Sequence, residues 1–504
     1  MKPNIPRAVR WPSVVALLLA AAAAAASLYV SAMVFERMPH VEDEFANLWQ
    51  AEVMARGRLW IESPREPASF VVPFVVDHDG RRFGKYPPGW PALLALGAAA
   101  DAPYLVNAGL AALAVWLTFR LGARLAGTIA GLLAALLLAT SPMILMLSGS
   151  MMSHVWTVVL TLAWMLAWFD LFPEGGGPAR QPARLLVSVA GLSLGVMALT
   201  RPLTALGVAL PFAPAALVSL IRGGVARRHV IGIGVLAAAV AGLLLVWQWA
   251  VTGNALLNPY TLWWPYDRIG FGPGIGPLPE GHTLKQAILN THHSLFAWQH
   301  DLFGWPYLSW ILIPVGLMAL RKRRDAWVSA AILPSLVLVH LAYWVGSWLL
   351  GPRYFVEAVP ALAAVSAAGV TRLAGSLRSS GAVRLRPLAV VALMAALVTL
   401  DVGVYVPVRV GGLHGLYGIT REKMAPLENT DLAEALVIVH AEPNWTAYGT
   451  LLMLTAPFRR DGALLLALSR DPVQDGRLEQ AYPGRIVYHY YTGDPTRLYP
   501  TPKP

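Results

Sequence analysis

Between Trp11 and Val34 the chain reads "WPSVVALLLAAAAAAASLYVSAMV", without one charged side chain. A run of that length matches the roughly 17 to 25 residues a helix needs to cross a bilayer. Comparable runs recur as far as residue 407, and this recurrence limits the architecture more than any motif does. With 56% hydrophobic and 13% charged residues, and a mean hydropathy of +0.54, the 504-residue chain lies outside soluble composition. It reads as an integral membrane protein. Lys2, Arg7 and Arg10 ahead of the first run resemble a secretory signal. The apolar core is too long for one, so an uncleaved first span is expected.

The net charge of +11 raises nucleic acid as a partner, but the cations fall in short clusters between apolar runs instead of forming one basic face. Such clusters set membrane topology. About eleven spans are expected, at 11–34, 103–121, 126–146, 154–171, 184–200, 203–221, 229–251, 306–320, 326–346, 353–372 and 387–407. Every second connection is basic: Arg120 and Arg124; Arg180 and Arg184; Arg222, Arg227 and Arg228; Arg321 to Arg324; and Arg372, Arg378, Arg384 and Arg386. With the N-terminus inside, all of these lie inside. The loops 35–102 and 252–305 and the tail from 408 are then outside, on the periplasmic or extracellular face of the inner (plasma) membrane. The absence of cysteine removes disulfides, thiolate metal sites and cysteine nucleophiles together.

Within 35–102, "EDEFANLWQAEVMARGRLW" has apolar residues near helical spacing with charges between them, the pattern of an amphipathic helix lying on the bilayer surface. "FVVPFVVDHDGRRFGKY" reads as two strands around an Asp-Gly turn. "YPPGWPALLALGAAADAP" is apolar but too short to span, so it reads as a re-entrant or interfacial helix. The 252–305 loop, rich in aromatic residues, Gly and Pro, suits a lid, with Trp263, Trp264, Tyr266, Trp298 and Trp305 placed on a sugar or in the headgroup belt. From 408 the pattern becomes soluble: "ALVIVH", "ALLLAL" and "RIVYHYY" as strands, with helical segments between, predict a small βαβαβ layer. The expected class is an α-helical polytopic membrane protein, 1–407, with a small C-terminal α/β domain, 408–504.

Charged residues at outer span ends need a reason, since both desolvation and the positive-inside rule work against them. Arg201 in "LTRPLT", Arg353 in "GPRYFVEAVP" and Lys85 in "FGKYPPGWP" are such cations, and His154 opens the fourth span. Converging from separate spans, they suit an anion at the membrane interface, and a lipid phosphate is the anion found there. The bland alternative is snorkelling or local pairing, as Arg353 and Glu357 allow at i, i+4. For Glu42, Asp43 and Glu44 the bland reading is a solvated acidic helix start. It fits Glu42 best, because one of Asp43 and Glu44 has to point towards the bundle. The Asp77-His78-Asp79-Gly80 run resembles a DxD metal motif but is explained by the turn. His282, His292, His293, His300 and Asp301 match no metal-ligand template, so capping and satisfied histidines are the better reading.

These residues carry a family resemblance. The Asp-Glu pair opening a loop helix after the first span, "KYPPGWP", the Arg-Pro after the fifth span and "GPRYFVEAVP" together resemble the GT-C membrane glycosyltransferases, across residues 11 to 407. Within them the chain is similar to the protein O-mannosyltransferase and lipid A aminoarabinose transferase group. The resemblance implies a polyprenyl-phosphate-linked sugar donor, transfer with inversion, and a glycan, glycolipid, lipid A or protein acceptor, with membrane lipid the other contact and no nucleic acid. By position it implies Asp43 as general base with Glu44 beside it, and Lys85, Arg201, Arg353 and Tyr354 on the lipid phosphate. His154, Glu357 and His282 are further candidates for substrate or metal contact. The loop before His154 lacks the second aspartate some relatives use, which leaves a divalent metal ion an open question.

A transporter or flippase for a lipid-linked or anionic substrate is the alternative. It would place ionisable groups and broken helices near the midplane and often shows inverted repeats. Here no repeat is visible and the expected span centres are almost free of charge.

Overall fold

A computed structural model describes residues 11–175, 181–347, 349–379, 385–428, 432, 434–442, 444–459 and 464–503. The topology-setting Lys2, Arg7, Arg10, Arg180 and Arg384 lie outside the described residues. Among the described residues, eight helices are long and apolar enough to cross a membrane: Trp11–Met33, Tyr104–Ala126, His154–Leu171, Ala183–Thr200, Pro202–Arg222, Gly224–Thr252, Arg353–Gly375 and Leu388–Gly411. A ninth forms if Thr128–Thr140 and Pro142–Gly149 are joined across a 55° bend. That bend falls at Ser141, whose ψ of 119° leaves the helix because Pro142 crowds the residue before it. The expected spans 306–320 and 326–346 are instead short pieces, Leu312–Ala319, Arg324–Ala330 and Ile332–His340. None of the three has the length of a span.

Small residues let the helices approach closely. A Cβ on Gly316 would sit 1.9 Å from the Val365 carbonyl, so only glycine permits this contact between Leu312–Ala319 and Val359–Ser379.

The first long loop folds as read in part. Strands β1 (Ile61–Glu62), β2 (Val75–His78) and β3 (Arg81–Gly84) form a sheet in the order β1-β3-β2. Asp79 and Gly80 take φ of 47° and 74°, the positive pair that a two-residue hairpin turn requires. The hairpin delivers Lys85 directly after β3. Gly89–Ala99 is the expected short apolar helix.

The helix Glu42–Ala55 departs from expectation. It is no surface helix with one wet side: Glu44 through Val53 are all buried. One side meets the bundle and the other meets the C-terminal region, where Phe45, Trp49 and Val53 share a core with Ile419, Leu427, Leu451 and Leu466. Its polar residues turn inward because both faces are covered. Burying a side chain such as Phe45 or Trp49 contributes about 1.5–3 kcal/mol.

At the C-terminal end, β4 (Ala435–His440), β5 (Leu465–Leu468) and β6 (Ile486–Tyr491) are parallel, joined through helices Trp445–Leu452 and Pro472–Ala481. The order is β5-β4-β6-β7. Antiparallel β7 (Asp494–Tyr499) was not expected, because "DPTRLY" has neither the apolar run nor the clean alternation of a strand.

Candidate active site

The span connections bring one set of helix ends to a common rim. The helix end at Thr200 and the starts at His154, Pro202 and Arg353 lie there, since all four residues line one cavity. Around this rim is a cavity of about 570 Å³. The opposite helix ends carry Arg124, Arg222, Arg227, Arg228, Arg323 and Arg324.

Asp43 stands in the first turn of Glu42–Ala55 and lines the cavity. Its carboxylate Oδ2 lies 3.1 Å from Arg353 Nη2, and Tyr86 donates its hydroxyl to Oδ1. Burial raises the Tyr86 pKa well above the usual range, with the Asp43 charge adding to it, so the phenol stays a donor. Arg353 thus pairs with Asp43 and not, as the i, i+4 reading allowed, with Glu357.

Arg201 occupies the break between Ala183–Thr200 and Pro202–Ala209, extended at φ −144°, ψ 84° because Pro202 follows it. Its Nη1 is 3.0 Å from Glu357 Oε1, which also accepts from Thr157 Oγ1 at 2.6 Å. Glu357 is fully buried, does not line the cavity and reaches it only through its contact with Arg201. The Tyr354 ring centre lies 5.6 Å from both the Arg201 and the Arg353 guanidinium carbon. His340 stacks on Tyr354 at 5.2 Å.

Lys85 is 2% exposed and pairs with equally buried Asp267 at 3.2 Å. Its ammonium sits 3.6 Å from the Phe74 ring centre and 4.7 Å from that of Trp264. Burial pulls the Lys85 pKa down, opposed by Asp267 and Asp43. Asp267 also accepts from Trp344 Nε1 at 3.1 Å. The sequence reading missed Asp267; the signal was a single acid inside "LWWPYDRIGF".

The acidic triplet divides differently from its reading. Glu44 faces away from the cavity and accepts backbone N–H bonds from His40, Val41 and Met151 at 2.9, 3.2 and 2.6 Å. It fastens the helix start to the bundle. Glu42, read as solvated, lines the cavity, and burial followed by the neighbouring Asp43 pushes its carboxyl up to about 7. His154 lines the cavity with neither ring nitrogen hydrogen-bonded, the kind of buried polar atom a ligand can satisfy.

His282 is not part of this site. Its ring stacks on Phe271 and its Nε2 bonds the Leu341 carbonyl at 2.9 Å. That bond belongs to a brace. The helix Leu284–Asp301, not expected inside the supposed lid, also sends Asn290 Nδ2 to the Trp344 carbonyl at 3.0 Å and Ser294 Oγ to that of Ser347 at 2.9 Å. Asp301 holds Arg409, which reaches the Leu349 carbonyl at 3.3 Å. The segment braced in this way leads into Arg353. Trp298 and Trp305 are core residues, 0% and 1% exposed, and neither lines the cavity. Trp263 packs on Phe74, while Trp264 lines the cavity and stacks on Tyr266. Among the described residues no group of three or more His, Asp or Glu side chains gathers to hold a metal ion.

No protein-family model and no curated protein sequence matches the chain. Solved structures do. ArnT from Cupriavidus metallidurans in the apo state superposes with a TM-score of 0.59 at 12% identity, covering 94% of this chain and 92% of that one. The same protein bound to undecaprenyl phosphate gives 0.57 at 13% identity, covering 94% and 89%. The Archaeoglobus fulgidus oligosaccharyltransferase AglB, in complex with an inhibitory peptide and a dolichol-phosphate, gives 0.52 at 15% identity, covering 92% of this chain and 65% of that chain. The chain has the GT-C fold. Within the GT-C fold of this protein, the rim that carries Asp43, Arg201 and Arg353 is the one away from the arginine clusters. The C-terminal layer closes over the same GT-C rim through Tyr417 and Trp445, which line the cavity.

Proposed function

We propose that this protein is an inverting membrane glycosyltransferase. It moves a sugar from a polyprenyl-phosphate carrier to an acceptor hydroxyl on the periplasmic or extracellular face of the inner (plasma) membrane. The observation that carries the reading is the contact between Asp43 and Arg353, far apart in the chain and 3.1 Å apart in space, inside a cavity that also holds Lys85 and Arg201. The face follows from the arginine-rich opposite helix ends and the positive-inside rule.

The chemistry follows from where charge moves. An oxygen lone pair of the acceptor attacks the anomeric carbon from the side opposite the phosphate. The bond from that carbon to the phosphate oxygen breaks, and its electron pair leaves with the polyprenyl phosphate. The leaving phosphate gains one negative charge, and Arg201 and Arg353, fixed in a poorly hydrated site, stabilise it where it grows. Asp43 takes the acceptor proton. Because Asp43 and a phosphate compete for Arg353, donor binding frees the carboxylate to act as base. Lys85, braced by Asp267, adds positive potential, and Tyr354 holds both guanidiniums on its ring.

The test is turnover of purified protein on a panel of polyprenyl-phosphate sugars, read as released polyprenyl phosphate. Asp43→Asn is expected to lower the rate by about 10²- to 10⁴-fold. No turnover on any donor, or an Asp43→Asn variant as fast as the parent, overturns the assignment.

A further inference from the structure

The cavity has a second pole that the transfer step leaves unused. Lys85, Arg201, Arg268 and Arg353 are its cations among the described residues, and none comes from the C-terminal layer. That layer contributes two aromatic residues instead. Tyr417 and Trp445 meet edge to face, with ring centres 5.5 Å apart and planes at 69°. Trp445 is pinned from behind by Phe45, at 5.8 Å and 68°, two residues along the helix from Asp43. A Cβ on Gly449 would meet both the Trp445 and Phe45 rings, at 3.2 and 3.4 Å, so small size there keeps the cluster close. The indole is therefore held in register with the proposed base by less than one helical turn. Glu42 lines the cavity between the two poles: its charge reaches Tyr448, three residues after Trp445 on the same helix, and Lys85 and Arg353 act on it from the other side.

The two poles differ in what they can recognise. Guanidiniums and an ammonium suit a phosphate. Aromatic faces beside a carboxylate suit a ring with apolar C–H faces and polar edges, whose hydroxyl or amine groups donate to the carboxylate. A phosphate placed against Tyr417 and Trp445 would find no cation from the layer to pair with, which works as selection against it.

We infer that Glu42, Tyr417 and Trp445 form the acceptor subsite, and that the acceptor presents a neutral or amine-bearing sugar ring there, not a phosphate. This rests on the glycosyl-transfer reading above. In-line attack needs the acceptor opposite the departing phosphate, and Tyr417 and Trp445 belong to the one layer that brings no cation to the lining.

The test uses the full-length protein, a donor it turns over, and a panel of neutral octyl glycosides as acceptors, each paired with its 6-phosphate. Transfer to at least one neutral glycoside is expected, with the phosphorylated partner used less well. Trp445→Ala and Tyr417→Ala should raise the acceptor KM by about tenfold or more while the donor KM changes by less than about twofold. Glu42→Gln should narrow the preference for the neutral member. Trp445→Phe, which keeps a ring against Phe45, should recover part of the loss. Should Trp445→Ala fail to fold, Tyr417→Ala carries the test, since Tyr417 is 47% exposed. An acceptor KM indifferent to Tyr417, or a preference for the phosphorylated glycosides, overturns the inference while leaving lipid-phosphate release intact. A parent protein that releases no lipid phosphate from any donor sinks both readings.

Discussion

The two halves of the Asp43–Arg353 pair are held in opposite ways. Asp43 belongs to a continuous helix whose backbone satisfies itself and whose side chains are covered on both faces. Arg353 follows a stretch, 345–347 and 349–352, with no regular helix or strand to pair its backbone. Carbonyls in and just before this stretch are satisfied by side chains borrowed from elsewhere, at His282, Asn290, Ser294 and Arg409. A buried carbonyl needs a partner, and where secondary structure does not supply one another element has to. The acid therefore depends on packing and on the Glu44 anchor, and the cation depends on a few polar contacts from side chains outside the cavity to the backbone of residues that line it.

The sharpest way to probe that contrast is to remove each charge in turn. Arg353→Ala should cost roughly 10² to 10³ in kcat/KM for the donor, the usual loss for one fixed group at a developing anion. Combined with Asp43→Asn, the double variant should lose less than the product of the two single losses, since the residues touch. Full additivity would mean the pair is not one unit.

A smaller effect should separate helix from strap. Glu44→Ala strands three backbone donors and should lower stability by about 3 kcal/mol or more, seen as a fall in the unfolding midpoint in detergent. A midpoint within about 1 kcal/mol of the parent would show that these bonds do not fasten the helix.

On the other side, Ser294→Ala and Asn290→Ala each free one carbonyl of the braced segment, worth about 1 kcal/mol. The expected result is a donor KM raised roughly fivefold with kcat changed less. Equal changes in stability and no change in KM would make the brace structural only.

The smallest effect is on pH. Glu42 titrates near 7 in the folded protein against a usual 4.5, so the folded state binds more protons between those values. Its contribution to stability is complete below the lower value and is lost as pH rises through the upper one. Glu42→Gln should flatten the unfolding midpoint between about pH 4.5 and 7. A profile as steep as the parent's would place Glu42 in solvent.

How much of this the sequence disclosed depends on what each residue's surroundings required. Arg201 and Arg353 were legible because a cation beside a proline at a span end has few bland explanations. The β2–β3 hairpin was legible because Asp79-Gly80 dictates its own turn. Glu42 and Glu44 exchanged roles because helical phase is readable only when one face is wet, and this helix has none. Asp267 and the brace escaped because their partners are backbone carbonyls and aromatic N–H groups, which leave no spacing pattern. Strand β7 escaped because it pairs on the sheet edge, where burial asks little of its side chains.

The double covering of the Glu42–Ala55 helix has a consequence for biosynthesis. The side chains that shelter Phe45, Trp49 and Val53, among them Ile419, Leu451 and Leu466, lie far downstream in the chain, so this helix is made well before its cover. Until that cover is made the helix is sheltered on one face only, and Asp43 waits in the same way for Arg353. A chain stopped before residue 465 would carry every residue that lines the cavity and still leave Phe45, Trp49 and Val53 without Leu466 and Leu468 to close over them.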